Sequence, residues 1–539
     1  MAVTDTPPET VEAAAAEASE PRPLTTGLAA VIGSGDHKVI GRMYIVASLI
    51  LGALVLGLGA GVAFESTTPA TLELFPSDFA YSLFTLARLG GLFLVAFPLV
   101  IGISLVVVPL QVGARSVAFP RAAAASFWGW LLGSILLLVA YGTHGGPGGT
   151  GAKAIDLWTA AMMLIVLSLL LAAISLATTV LALRTNGMTL ARVPLFAWSV
   201  MVAAVMWLLT LPVLFGHLVL MYVDHRRAGS ILIGGSSQIF PAMGWLLRNP
   251  QVYVVAIPVL GFIADVAINL SGSRIHSRSA ARVGITLFGV LSFGAFMVFP
   301  TQKVLDSPIV VVPAILAVVP LLAVAATVAD AGRRAARFNA PVAYAGVAFL
   351  VLLLGVVAGA IGSIPGVLDA PKDATTSANI FFIGVGNAVL FAAVIAALGG
   401  ATWWATKVGG RPAGDAVGIV AALVLLAGAV VATIPDMVSG ITGSGAELIG
   451  DYRGGVEVFN WATLGGFGIF AVGLVLAVFS LARSMSAPEE GEEDDSPADP
   501  WGGQTLEWLT ASPPPLENFD GELAVVRSAE PLIDLQEEK

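Results

Sequence analysis

Residues 89–108, LGGLFLVAFPLVIGISLVVV, run for twenty positions without a charged side chain. A helix of that length is about 30 Å long, which is the thickness of the hydrocarbon core of a bilayer. Backbone groups inside a bilayer find no water, and a helix satisfies them within its own segment. The stretch therefore predicts a transmembrane helix.

The rest of the chain has the same character. Of its 539 residues, 57% are apolar, 12% are charged and none is cysteine, and the mean hydropathy is +0.89. A water-soluble domain cannot carry so much apolar surface. The composition predicts an all-α integral membrane protein, and the lack of cysteine excludes disulfides and thiolate metal sites.

Twelve apolar stretches are long enough to cross a bilayer as helices. They lie near residues 41–64, 80–112, 124–142, 156–183, 193–223, 251–270, 283–300, 308–329, 340–363, 377–405, 415–436 and 457–482.

Polar segments flank this region at both ends. Residues 1–38 contain no apolar run, so they resemble neither a signal peptide nor an anchor. Residues 485–539 begin with an acidic linker, EEGEEDD, and continue as PWGGQTLEWLTASPPPLENF. We expect a polar N-terminal tail, a twelve-helix transmembrane domain at 39–484, and a C-terminal linker and tail.

The short loops predict the orientation. If the N-terminus is inside, the inner loops contain twelve Lys and Arg residues and the outer loops contain six. Because cytoplasmic loops are enriched in cations, this difference predicts that both termini are cytoplasmic.

Three ionisable residues in or beside the spans are candidates for function. His217 lies inside the fifth span, where an ionisable group is a functional candidate, but no second ligand is spaced near it and a neutral packing role is the alternative. Arg88 adjoins the apolar stretch, where its charge costs roughly 2.5 kcal/mol or more unless it pairs or reaches the interface. We expect Arg88 to reach the outer membrane interface. We expect Asp265, near the inner end of the sixth span, to lie at the inner interface. We find no P-loop, dinucleotide fingerprint or His cluster, and expect no nucleic-acid partner.

Six motifs in one order resemble subunit I of the haem-copper oxidases, in particular the actinobacterial cytochrome c oxidases. They cover residues from about 35 to 520 and read GDHKVIGRMYI, PLQVGARSVAFPR with SFW, NPQVY, LSFGAF, WWATKVGGR and PWGGQTLEW. The resemblance implies the same twelve-helix bundle, a multi-pass location in the bacterial inner (plasma) membrane, and subunit II-like or III-like partners in a respiratory-type complex.

The resemblance also implies which positions bind cofactors in the family. Its sixth span begins with H-P-E-V-Y, whereas this chain has Asn249 at the copper ligand and Gln251 at the proton-carrying Glu, and retains Tyr253. The other ligand positions fall on Ala87, Val298, Phe299, Gly384 and Gly386, and the remaining proton-path positions on Ser116, Ala123 and Val324. None of the substituting ligand residues supplies an imidazole nitrogen, so we expect neither haem nor copper.

Three functions remain open from the sequence. The first is a non-catalytic structural or assembly subunit of a membrane complex. The second is binding or transport of a lipid or quinone in the vacated haem cavity, where Gly384 and Gly386 are expected to leave volume unless Phe296, Phe299, Phe381 and Phe382 fill it. The third is a subunit of an active cytochrome c oxidase. In the tail, Trp501, Leu506, Trp508 and Leu509 are expected to dock, either on the inner loops of this chain or on another subunit.

Overall fold

The computed structural model describes most of the chain as helices. The described residues are 31–67, 74–76, 80–147, 149–227, 236–295, 308–334, 338–368, 380–442, 456–484, 499–519 and 521–537, and no strand occurs among them.

Sixteen helices are used below, in chain order. They are α1 His37–Glu65, α2 Ala80–Gly90, α3 Phe97–Gln111, α4 Pro120–Gly142, α5 Ala152–Ala182, α6 Leu195–Arg226, α7 Ser236–Leu270, α8 Arg278–Ala295, α9 Pro308–Leu316, α10 Val318–Gly332, α11 Ala340–Gly362, α12 Ile380–Trp403, α13 Ala405–Val408, α14 Asp415–Ile441, α15 Val456–Ser484 and α16 Pro531–Glu537. A π-helical segment, Gly91–Ala96, joins α2 to α3.

Eleven helical segments in the described part of the chain are long and apolar enough to span a membrane. The prediction of a multi-span all-α protein is confirmed. The seventh expected span, 283–300, corresponds to α8, of which the described residues reach Ala295.

Two predicted boundaries were wrong. The predicted sixth span corresponds to α7, which begins at Ser236 instead of 251, so Asn249, Pro250 and Gln251 lie within the helix. A proline inside a membrane helix is tolerated when its surroundings satisfy the freed carbonyl. The eighth span is broken between α9 and α10 at Ala317. Pro320 has no N–H to offer the carbonyl four residues earlier, which explains a break at this point.

The opening stretch forms the centre of the bundle. Every residue from Leu92 to Gln111 is buried, because other helices surround it on all sides. A helix buried all round needs apolar residues on every face. This explains why residues 89–108 are apolar on every face.

Helices α14 and α15 approach closely through glycines. A Cβ atom placed on Gly466 would collide with the backbone of Ala432, and one on Gly428 would collide with the backbone of Phe470. Between membrane helices, small residues allow backbones to meet and gain dispersion contacts. This contact fixes α15, which forms part of the cavity described below.

The C-terminal tail folds back over one end of the bundle, which we call the tail face. Asn518 is buried there: its side-chain amide donates to the Ala114 carbonyl at 2.8 Å, and its side-chain oxygen accepts from Lys38 Nζ at 3.0 Å. The same oxygen lies 3.1 Å from His37 Nε2 at the start of α1. The first helix therefore begins at the face that the tail covers, as an even number of spans requires.

Gln111, at the end of α3, joins the tail to the membrane domain. Its Nε2 donates to Asp265 Oδ2 at 2.7 Å and to Glu507 Oε1 at 3.0 Å, and its Oε1 accepts from the Ala197 N–H at 3.0 Å. Asp265 is 2% exposed, so the expectation that it is interfacial was wrong. The tail covers it, and the Gln111 amide satisfies one of its oxygens.

Tryptophans complete the docking. The Trp501 ring stacks on Trp403 with centroids 5.5 Å apart and donates Nε1–H to the Trp403 carbonyl at 3.0 Å. Leu506 and Trp508 are buried as predicted, whereas Leu509 is 43% exposed because it follows the 3₁₀ turn that turns its neighbours inward. Of the two docking sites considered, the described tail uses this chain's own membrane domain.

Two buried ionisable groups, Lys407 and Glu507, hold the tail. Lys407 Nζ donates to the Thr510 carbonyl at 2.6 Å and to Ser512 Oγ at 3.0 Å, and burial lowers its pKa to about 8. Burial raises the pKa of Glu507 to about 7, and the Asp265 carboxylate adds to the shift. Glu507 Oε2 has no hydrogen-bond partner among the described residues, which also disfavours the charged form.

We expect Gly466→Val to destabilise the protein by about 1–3 kcal/mol or more, because the added methyl groups force α14 and α15 apart. The thermal midpoint in detergent measures this. Gly468→Val is the matched control, since a Cβ at Gly468 meets no atom within 4 Å. Equal midpoints for the two variants would contradict the close contact.

We expect tail docking to weaken as the pH rises from 5 to 7.5. The folded-state pKa of Glu507 is raised from 4.5 to about 7, so its contribution is complete below the unfolded pKa and is lost as the pH passes the folded value. Lys407 stays largely protonated below its pKa of about 8. Proteolysis of residues 499–519 should become at least about tenfold faster over this range, the equivalent of one pKa unit.

The variant Glu507→Gln should remove most of this pH dependence, because the amide cannot ionise. Glu517→Gln, at an exposed tail position, should retain it. A tail that is cleaved at the same rate at both pH values in the unmodified protein would show that Glu507 does not control docking.

Candidate functional site

A cavity of about 180 Å³ lies between α1, α2, α12, α14 and α15. Its walls are mostly apolar. They comprise Leu49, Gly52, Val55, Leu56, Gly59, Val62, Ala63, Ser66, Phe84, Ala87, Arg88, Gly91, Val95, Ile380, Ile383, Asn387, Leu390, Phe391, Val394, Asp436, Asn460, Thr463, Phe467, Phe470 and Leu474.

The polar wall residues gather toward the end of the bundle opposite the tail face, which we call the far face. At 1.5 Å per residue, Arg88, Asn387 and Asp436 lie about 8–12 Å along their helices from this face. By the same measure Leu49 and Leu474 lie about 24–27 Å from it. The cavity is therefore polar near the far face and apolar toward the middle of the bundle.

Two ionisable side chains of opposite type, Arg88 and Asp436, lie at the polar end. Asp436 is 7% exposed, accepts a hydrogen bond from Thr463 Oγ1 at 2.9 Å, and interacts electrostatically with Arg88. The Arg88 guanidinium also lies over the Phe84 ring, 3.8 Å from its centroid. In an apolar surrounding each charge stabilises the other, because screening by water is weak. Arg88 thus has a partner inside the bundle, in addition to the interface that the sequence suggested for it.

Two of the predicted positions lie on this cavity and two do not. Ala87 and Arg88 line it, whereas Gly384 and Gly386 are absent from its wall. A Cβ on Gly384 would meet the Thr433 carbonyl of α14 at 2.8 Å, and one on Gly386 would meet nothing within 4 Å.

Helical phase explains the difference. The wall residues of α12 are Ile380, Ile383, Asn387, Leu390, Phe391 and Val394, and their spacings of mostly three and four residues place them on one helix face. The expectation that Gly384 and Gly386 create the volume was therefore wrong. The proposed fillers Phe381 and Phe382 pack against each other, with centroids 5.6 Å apart, and are not wall residues either.

The remaining predicted residues are dispersed. His217 is away from the cavity, and its Nδ1 lies 2.9 Å from the Val213 carbonyl of its own helix. Tyr253, Ala123 and Val324 are buried in helix contacts, and Ser116 is half-buried in the α3–α4 loop. The side chains of Asn249 and Gln251, and the residues Val298 and Phe299, lie outside the described part of the structure.

The donor set of the cavity does not fit a haem. Proteins ligate haem iron through His, Cys, Met or Tyr, and none of the wall residues is of these types. Among the described residues, no group of three or more His, Asp or Glu side chains is arranged to hold a metal ion. What the wall offers is one guanidinium, one carboxylate, two amides and two hydroxyls in an apolar surround.

Aliphatic wall residues that face a cavity make fewer dispersion contacts than residues in a close-packed core. An apolar molecule that restores the missing dispersion contacts would stabilise the fold. The cavity therefore has the physical properties of a site for an amphiphile.

The sequence missed the polar residues Asn387, Asp436, Asn460 and Thr463. Asp436 was the available signal, because it is a carboxylate inside a helix that runs on to Ile441. The predicted eleventh span ends at residue 436, which places this carboxyl group at the boundary of the span, whereas the helix continues for five more residues.

Comparison with known proteins agrees with this architecture. A heme-copper terminal oxidase dimer has a similar fold, with a TM-score of 0.65 over 84% of each chain at 12% identity. The chain is 28% identical to a cytochrome c oxidase subunit 1-beta of Streptomyces coelicolor, covering 93% of this chain and 89% of the relative. A cytochrome c oxidase subunit 1-beta of Nocardia farcinica is 27% identical, covering 96% of this chain and 91% of the relative.

A longer relative extends beyond the matched region. The heme-copper oxidase subunit I+III of Aeropyrum pernix is 28% identical, covering 94% of this chain but only 63% of the relative. The sequence model of the family described as Cytochrome C and Quinol oxidase polypeptide I matches residues 39–469. On this match and the shared fold, the chain belongs to the cytochrome c and quinol oxidase polypeptide I family, the subunit I family of the haem-copper oxidases.

Proposed function

We propose that this chain is a non-catalytic member of its family and serves as a structural or assembly subunit of a respiratory-type complex in the bacterial plasma membrane. The observation that carries the proposal is the cavity at Ala87. This residue occupies the position that the resemblance assigns to a haem ligand, and the surrounding wall contains no side chain that ligates haem iron. Fold similarity alone does not supply redox chemistry without such a site.

The retained architecture supports a role in an assembly. The central helix, the glycine contact of α14 with α15 and the docked tail all preserve the shape of the bundle. Partners similar to subunit II or III are the expected neighbours, and the name of the Aeropyrum pernix relative places subunits I and III together in that protein.

A second candidate function is binding of a lipid or quinone, which the amphipathic cavity favours. The third, a subunit of an active oxidase, requires ligands that would have to come from positions other than those the resemblance assigns. These functions differ in what the purified protein contains, so one preparation separates them.

We expect the protein purified from native membranes in mild detergent to lack a stoichiometric Soret band, because the assigned ligand positions supply no imidazole. The Streptomyces coelicolor relative, purified in the same way, is a control for haem retention. We further expect integral subunits similar to subunit II or III to co-purify at constant ratio. A stoichiometric Soret band, or a lone monomer in native mass spectrometry, would overturn the proposal.

We expect the tail face to be cytoplasmic, because the loops there carry most of the cations. The chain has no native cysteine, so single cysteines report accessibility directly. Ala524→Cys, exposed in the tail, should react with a membrane-impermeant maleimide only after the cells are opened. Thr150→Cys, in the α4–α5 loop, should react in intact cells. The reverse pattern would invert the topology.

A further inference from the structure

We propose that the cavity binds a membrane amphiphile with a compact, uncharged, hydrogen-bonding headgroup, whose head lies at Arg88, Asn387 and Asp436 and whose chain points toward the middle of the bundle. This inference rests on the second candidate function and specifies its ligand. The two sources of such a molecule in a membrane are prenylated quinones and diacylglycerols.

The direction of the ligand follows from the distribution of the wall residues. The charged and amide groups lie near the far face, and the residues deeper in the bundle, such as Val95, Val394 and Leu474, are aliphatic. A polar group at the deep end would lose its hydrogen bonds to water without replacement. An amphiphile in the opposite orientation would therefore bind poorly.

The charge of the headgroup follows from the Arg88 and Asp436 pair. These are the two ionisable side chains of the wall, they interact electrostatically, and their charged forms are opposite in sign. A phosphate or carboxylate near Arg88 would also be close to Asp436, and an ammonium near Asp436 would be close to Arg88. In a region of weak screening this repulsion offsets the attraction. An uncharged group that both accepts and donates hydrogen bonds interacts favourably with both residues.

The third contact of the headgroup is Asn387. Thr463 donates to Asp436 at 2.9 Å, and Asn460 Nδ2 donates to the Ser66 carbonyl at 2.5 Å, so both have partners in the protein. The Asn387 side chain lines the cavity and has no hydrogen bond to another described residue. Since an unsatisfied amide in an apolar wall is costly, a ligand carbonyl or hydroxyl is its natural partner.

The size of the cavity limits the headgroup. An apolar cavity of about 150 Å³ accommodates a molecule of benzene, so about 180 Å³ accommodates one six-membered ring or a glycerol ester with the first carbons of its chain. The apolar chain of the ligand adds dispersion contacts with the aliphatic residues of the cavity wall.

The proposal is tested by thermal stability of the delipidated protein, with native mass spectrometry as a second readout. The probes are decylubiquinone, dioctanoylglycerol and dioctanoyl phosphatidic acid; the last two share their chains and differ in charge. A ligand that binds the folded state raises the midpoint in proportion to its affinity. We expect one or both neutral probes to raise it and phosphatidic acid to bind at least about tenfold more weakly.

Three variants test the residues. Asn387→Leu should weaken the neutral probes by roughly tenfold, the effect of one buried hydrogen bond. Asp436→Asn removes the carboxyl group of the wall, and with it the repulsion of anions, and should shift the preference toward phosphatidic acid. Gly386→Leu, on the same helix but off the cavity wall, should leave the affinities unchanged. If a variant does not fold, the comparison of the three probes on the unmodified protein still decides the charge preference.

Equal stabilisation by phosphatidic acid and dioctanoylglycerol, no binding of any probe, or unchanged affinity in Asn387→Leu would each overturn the inference. Response to decylubiquinone alone, or to dioctanoylglycerol alone, identifies the source of the ligand. These outcomes are independent of haem content and of co-purifying subunits, so the structural role can fail or survive separately.

Discussion

Burial of the second membrane helix on all its faces is the constraint on which the other features depend. From Leu92 to Gln111 no residue reaches lipid, so the surrounding helices must pack around it. Its beginning, at Gly91 and Val95, forms part of the cavity wall. Its last residue, Gln111, bonds both Asp265 and Glu507. This span thus contacts the candidate site at its beginning and the docked tail at its end.

The two polar regions of the protein surround their buried carboxyl groups with different partners. At the tail face, buried carboxyl groups share the amide of Gln111, and burial favours the protonated form of Glu507. In the cavity, Asp436 retains an opposite charge nearby in Arg88 and a hydrogen bond from Thr463. A buried carboxyl group needs one or the other, because an ionised group without either is too costly in an apolar medium.

The relation between family and function depends on the cavity wall. The family match and the shared bundle describe a haem-copper oxidase scaffold, but a scaffold supports many functions and its chemistry depends on the side chains of the site. The wall next to Ala87 provides an arginine, a carboxyl group, amides and hydroxyls, and none of its side chains is of a type that ligates haem iron. That set of donors is the basis for proposing a ligand of a different class.

The sequence by itself determined the class of protein, because apolar segments of about 20 residues have few alternatives to spanning a bilayer. It also determined that Leu506 and Trp508 would be buried, since large apolar side chains in a polar tail need a surface to cover them. It did not determine which side of a helix faces the cavity. Lipid and protein interior are equally apolar, so α12 has no polar stripe that marks one face. Only the packed bundle placed Asn387 on the wall and turned Gly384 toward Thr433, and only the folded tail brought Glu507 to Asp265 across 242 positions of the chain. Such pairings depend on helix rotation and long-range docking, which local hydropathy does not encode.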